Sequence, residues 1–349
     1  MSLGPATSRL LRTLPAIFPC LLLATWLAGC QPAVTAATLP PEVASATPAP
    51  PQPAPTASSS PLPPTPGAAP SPASPLPTAG PPPEEEILDG FWTSAVDDAQ
   101  LVLIPAGRFR MGTLADFLGR QPDELPQHEV MLDAFWMDVL EVSWGQYQRC
   151  TDAGACPASL LGPPPPGQDD YPVWGVTWHA AEAYCAWAGR QLPTEAEWEK
   201  AARGTDARRY PWGWVGVAES SDGLRLNLCD SNCETDYHTV SIDDGYAEAA
   251  PVGSFPAGAS PYGMLDMAGN LWEWTADWYD SRAYRGNDRT NPTGPENGRA
   301  KVIRGGSWLE AAWQGQLWNL RATNRAWMPP ERGSVDLGFR CALSAAGDD

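Results

Sequence analysis

Tyr262-Gly263-Met264-Leu265-Asp266-Met267-Ala268-Gly269-Asn270-Leu271-Trp272-Glu273-Trp274, then Arg304-Gly305-Gly306-Ser307-Trp308 and Leu337-Gly338-Phe339-Arg340-Cys341, form the stretch that decides the fold. Between Trp308 and Cys341 there is no cysteine, which matters more than any residue present. Two earlier blocks belong with it. One is Leu103-Ile104-Pro105-Ala106-Gly107-Arg108-Phe109-Arg110-Met111-Gly112. The other runs from Val173-Trp174-Gly175-Val176-Thr177-Trp178 to Gly189-Arg190-Gln191-Leu192-Pro193-Thr194-Glu195-Ala196-Glu197-Trp198-Glu199.

Local punctuation places helices around these blocks. Thr177 can cap a helix with Ala181, Tyr184, Cys185 and Ala188 on one face, and Gly189 stops it. Thr194 and Glu197 form a capping box for a second helix, which turns Trp198, Ala201 and Ala202 inward and ends at Gly204. A third short helix is expected over Ser143 to Cys150. Short strands are expected over Leu101–Ile104, Phe109–Met111, Glu129–Asp133, Val302–Arg304 and Leu337–Ala342. Much of the rest reads as loop, so the domain needs disulfides or bound ions as staples.

Outside this region the composition changes. Arg9 and Arg12 precede an apolar run through Phe18, Leu21, Leu22, Leu23 and Trp26 that is too short to span a membrane. Leu27-Ala28-Gly29-Cys30 then looks like a bacterial lipobox, in which Cys30 is lipidated and residues 1–29 are a signal peptide. Residues 30–86 are Pro-, Ala- and Ser-rich and almost uncharged before Glu84-Glu85-Glu86. Such a segment cannot bury a core, and fully stretched it would reach on the order of 170 Å. The expectation is a head, residues 87–345, held off a cell membrane or outer membrane on the side away from the cytoplasm. The chain of 349 residues carries a formal charge of −19, which disfavours nucleic acid and anionic lipid as partners. Most of the 17 tryptophans are expected in the core.

Besides Cys30, the mature region holds Cys150, Cys156, Cys185, Cys229, Cys233 and Cys341. An even count in an oxidising compartment predicts disulfides. Cys150 with Cys156 and Cys229 with Cys233 are local pairs, which leaves Cys185 to join distant Cys341. In the chain-entropy model that long loop gives about 5 kcal/mol. A thiolate metal site, the alternative, needs a reducing setting and closer spacing. His128, His179 and His238 are scattered, without metal-ligand spacing.

Together the three blocks resemble the formylglycine-generating enzyme, or sulfatase-modifying factor, family, in order and over nearly the whole domain. The resemblance implies an α+β fold of the C-type-lectin-like kind, poor in regular structure. It implies an oxidase that converts a substrate cysteine in a Cys-x-Pro-x-Arg sequence to formylglycine with copper(I) and oxygen. The two copper thiols of that family fall on Glu310 and Gly315 here. Copper(I) is soft and prefers sulfur, so no copper is expected. Ser307 and Trp274 match the family's oxygen pocket, and without copper they read as a turn serine and a core tryptophan. The resemblance also supports the Cys185–Cys341 bridge. A second family bridge has Ala202 at its helix end and Asn319-Leu320-Arg321-Ala322 at the other, so it is absent.

The resemblance further implies calcium. Asn227, the Leu228 carbonyl, Asp244 and the Tyr246 carbonyl match one site, and Asn270 with Glu273 matches a second. The plainer readings are an Asx-turn at Asn227 and a buried, hydrogen-bonded Glu273. Arg304, Arg321, Arg325 and Arg340 concentrate positive charge near the C-terminus of an acidic chain. Arg340 reads as buried, and Arg321 and Arg325 as groove residues. The functional expectation is a non-catalytic binding or scaffolding module for a peptide, protein or other ligand. Its groove would be lined by Glu310, Trp313, Trp318, Arg321, Asn324 and Trp327. The alternative is a formylglycine-generating oxidase.

Overall fold

The structure is a computed structural model that describes residues 82, 87, 90–117, 119–214, 216, 224–233, 243–286, 289–312 and 317–345, with only the backbone of residues 311, 312 and 317. Cys30, the expected signal peptide and nearly all of the expected tether lie outside the described residues. Five strands come first: β1 (Phe91–Thr93), β2 (Gln100–Ile104), β3 (Gly107–Met111), β4 (His128–Leu132) and β5 (Phe135–Asp138). Three helices follow: α1 (Trp144–Asp152), α2 (Trp178–Trp187) and α3 (Glu195–Arg203). The last strands are β6 (Trp272–Trp278), β7 (Lys301–Arg304), β8 (Ala326–Met328), β9 (Leu337–Gly338) and β10 (Ala342–Ser344). This is an α+β fold with little regular structure. Among the described residues no helix is long and apolar enough to cross a membrane.

The strands form a sheet in the order β1-β2-β5-β10, a β3-β4 hairpin, and a sheet in the order β8-β7-β6-β9. The expected strand over Leu337–Ala342 is two strands. β9 pairs parallel with β6, and β10 pairs antiparallel with β5. Phe339, Arg340 and Cys341 cross between the sheets with all three side chains buried. The Cys185–Cys341 disulfide therefore fastens α2 to this crossover. Cys150–Cys156 and Cys229–Cys233 are also bonded.

Local chemistry explains the helices. The Thr194 hydroxyl accepts from the Glu197 N–H at 3.2 Å, and the Thr194 N–H donates back to Glu197 at 2.7 Å. Ser143 and Gln146 build the same reciprocal cap on α1, and Thr177 caps α2 by accepting from the Ala180 N–H. α3 is charged but almost wholly buried. Lys200 donates to the Pro105 and Gly107 carbonyls, and Arg203 to the Arg110 and Gly112 carbonyls. These cations replace water around the carbonyls of β3 and of the residues just before and after it.

β5 and β6 were not foreseen. Phe135-Trp136-Met137-Asp138 is buried at every position, so it shows no alternation of apolar and polar residues. In β6 the tryptophans recur at Trp272, Trp274 and Trp278, yet Glu273, Thr275 and Asp277 on the other face are buried too.

Candidate functional site

Asn270 organises the site. It stands at φ +58°, after Gly269 at φ +79°. A side chain on Gly269 would put its Cβ 2.4 Å from the Asn227 carbonyl oxygen, so only glycine lets the two loops touch. The Asn270 Nδ2 donates to Glu141 at 2.6 Å, and its Oδ1 accepts from the Ala250 N–H at 2.9 Å and from Asn227 Nδ2 at 3.1 Å. Its carbonyl accepts from the Trp308 N–H at 2.8 Å. One side chain and its backbone thus join four loops, at Asn227, Ala250, Glu141 and the Gly-Gly-Ser turn.

After the turn, the Ser307 hydroxyl donates to Asp336 at 2.9 Å and accepts from the Leu309 N–H. Trp274 is wholly buried and donates its indole N–H to the Val176 carbonyl at 3.1 Å. Glu310 is buried beside them. Its carboxylate accepts from the Trp272 indole N–H at 2.9 Å and from the Asn319 carboxamide. Burial pushes the Glu310 carboxyl up to about 7, Asn319 and Trp272 hold it down, and Asp336 adds repulsion. Gly315 lies outside the described residues.

At the first expected calcium site, Asp244 accepts from the Leu228 N–H and the Tyr246 N–H, each at 2.9 Å. Asn227 donates to the Glu248 carbonyl at 2.8 Å. Its Oδ1 is buried and, among the described residues, accepts no hydrogen bond. A buried amide oxygen without a donor, one carboxylate and nearby loop carbonyls are the hard oxygens calcium takes. Among the described residues no cluster of three His, Cys, Asp or Glu side chains could hold a metal, so carbonyls and amides would supply most of the ligands. At the second expected site Glu273 already has protein partners. Glu273 is engaged by Arg340 at 2.7 and 2.8 Å and by the Trp198 indole at 2.7 Å. This is the plainer reading of Glu273, and Glu141 is the carboxylate beside Asn270.

The expected groove is corrected. Arg321 is fully buried and grips Glu124 through two 2.6 Å bonds. Arg325 grips Glu195 at 2.6 and 2.9 Å, and Arg304 reaches Glu195 and Glu199. Arginine's planar fork matches a carboxylate in two bonds, and a buried guanidinium must be paired. The C-terminal arginines are therefore internal ties, and the acidic partners from α3 are what the sequence reading missed. Trp318 packs on Gly119, where a Cβ would overlap the indole. Asn324, Trp327 and, as expected, Arg325 do reach a common open cleft of about 620 Å³ with Asn319, Tyr279, Arg282 and Arg285. Trp327 is 53% exposed there, whereas Glu310 and Arg321 do not line it. Trp313 lies outside the described residues.

A second opening lies beside Trp308. Two adjoining cavities, of about 530 and 70 Å³, share Gln168, Tyr171, Glu248, Ala249 and Trp308. Residues 168–170 were read only as loop, and the sole sequence signal was the neighbouring Tyr171-Pro172-Val173-Trp174 run.

The fold and site define a class: an α+β domain knotted by buried ion pairs, with a Gly-Gly-Ser turn beside Asn270. Residues 91–345 match the family model for the sulfatase-modifying factor enzyme 1-like domain, and the chain belongs to that family. The formylglycine-generating enzyme of Bos taurus is 31% identical over 288 residues, covering 70% of this chain and 74% of that protein. The inactive C-alpha-formylglycine-generating enzyme 2 of Mus musculus is 32% identical over 292 residues, covering 71% and 87%. The structure of PvdO from Pseudomonas aeruginosa matches with a TM-score of 0.59 at 28% identity, over 73% of this chain and 97% of that one. Relatives named active and inactive are equally similar, so overall identity does not decide catalysis.

Family copper does not fit the residues present. Where the resemblance places the two thiols stand Glu310, a carboxylate already held by an indole and a carboxamide, and Gly315. Neither offers the soft donor copper(I) selects.

Proposed function

We propose that this chain is a lipid-anchored, non-catalytic binding module of the sulfatase-modifying-factor family. The observation that carries this reading is Glu310, which replaces a metal thiol and is locked between Trp272 and Asn319. Ser307 and Trp274 have structural hydrogen bonds of their own, to Asp336 and Val176, and need no redox task. The lipobox-like Leu27-Ala28-Gly29-Cys30 and the residue 30–86 segment support a tethered head outside the cytoplasm, on the cell membrane or outer membrane. The ligand would be an extended peptide or protein segment. The test supplies copper and oxygen with a Cys-x-Pro-x-Arg peptide and measures thiol loss and oxygen uptake. Neither is expected. Turnover would establish the alternative, a formylglycine-generating oxidase.

Calcium is the proposed structural ion, held by Asn227, Asp244 and the Leu228 and Tyr246 carbonyls. Calcium added to chelator-treated protein should raise the melting temperature, by about 2.7 kcal/mol of stability at a hundredfold excess over the dissociation constant. Asn227→Ala should lose most of that rise. An unchanged melting curve would remove the ion from the proposal.

A further inference from the structure

We propose that the pocket walled by Tyr171, Tyr246 and Trp308 is an amide site. It takes a flat, neutral group that accepts a hydrogen bond at one edge and donates one at another, as a peptide bond or side-chain carboxamide does. This rests on the binding-module reading and names its ligand chemistry. Trp308 is only 7% exposed, yet its indole Nε1 is buried and, among the described residues, has no acceptor. The Gln168 Oε1 is likewise buried and without a donor. Both residues line both cavities. A buried polar atom left unpaired is destabilising, and native proteins rarely keep one without a purpose. Unpaired Nε atoms on Arg190, Arg304 and Arg321 differ, because the other nitrogens of each guanidinium are bonded. Trp308, like Trp144, has no second polar side-chain atom to compensate, but only Trp308 lines both cavities with a second unpaired group, the Gln168 Oε1.

The site is pre-formed. The Gln168 carbonyl accepts from the Tyr171 N–H, the Asp169 carbonyl from Gly145, the Asp170 carbonyl from Val252 and the Tyr171 carbonyl from Trp144. Asp169, Asp170 and Tyr171 are thus pinned to the start of α1 and to a second loop, and Gln168 is tied to them by the turn it forms with Tyr171. A volume of about 530 Å³ lies in the usual range for ligand pockets, with aromatic walls and a few polar groups fixing orientation. Glu248 at the rim and the acidic chain oppose an anion. An indole N–H needs an acceptor, which a pure cation lacks. Donor and acceptor on separate residues suit an amide, whose carbonyl and N–H lie on opposite edges, better than a single hydroxyl.

The test follows indole N–H resonances of the purified full chain, with Trp308 assigned by Trp308→Phe. N-acetyl-alanine amide, tetramethylammonium chloride, sodium acetate and methyl glucoside are titrated to equal concentrations. Only the alanine amide should move the Trp308 resonance saturably downfield. Gln168→Leu, checked for folding by its remaining indole signals, should weaken that binding roughly three- to tenfold. No saturable shift, or an equal shift with any other probe, overturns the amide site. That failure leaves the non-catalytic reading standing if the cysteine peptide is not oxidised, whereas peptide oxidation sinks that reading whatever the alanine amide does.

Discussion

Glu310 sits under the Trp272 indole with its carboxyl raised by burial to about 7. In the unfolded chain a glutamate titrates near 4.3. Between these values the folded state binds more protons than the unfolded state, so stability falls as pH rises through that window and the loss is complete above about 7. The contribution is about 1–3 kcal/mol. Glu310→Gln cannot ionise and should flatten the fall in urea-unfolding stability between acidic and mildly alkaline pH. An unchanged pH profile would show that Glu310 does not titrate in this range. The same residue scale explains the arginines. Arg321 and Arg325 read as groove residues and Arg340 as buried, and these three and Arg304 each reach a buried carboxylate. Their partners Glu124, Glu195, Glu199 and Glu273 are far away in sequence, so no local pattern could show the pairing.

α3 is the element that holds Arg304 and Arg325, two of the four arginines. Its start was legible because Thr194 and Glu197 have a spacing that lets each satisfy the other's exposed backbone N–H. Its burial was not legible, because nothing local shows that the charges of Glu195, Glu199, Lys200 and Arg203 are buried. Thr194→Ala should cost about 1 kcal/mol and lower the melting temperature by about 2–4 °C. Amide exchange should quicken first in the opening turn of α3. A uniform change across the domain would mean that the cap is not a local device. β6 teaches the converse. Its alternating tryptophans were visible, but Lys301 from β7, buried between the Trp178 and Trp278 rings, comes from outside the motif. A cation over two indoles with its Nζ donating to the Ala276 carbonyl at 2.7 Å is tertiary chemistry.

For the molecule as a whole, the crossover at Phe339–Cys341 joins the two four-stranded sheets, and Cys185–Cys341 closes a loop of 156 residues across it. The chain-entropy model gives about 5 kcal/mol for this bridge and about 2 kcal/mol for the Cys150–Cys156 loop. Replacing Cys185 and Cys341 together by serine should therefore lower stability about twice as much as replacing Cys150 and Cys156. Equal losses in denaturant titrations would place the stabilisation in local packing. With so few strands and helices, the domain relies on this bridge and on buried ion pairs.

What the sequence determined by itself was the family, the α+β class, the disulfide pairing and the helix caps. Each depends on residue identity at short spacing or on an ordered motif. Only the tertiary structure decided that the arginines are internal, that Glu273 faces Arg340, and that Gln168 and Trp308 share a pocket with unpaired polar atoms. Those facts depend on which groups lose water together, and burial is a property of the packed chain.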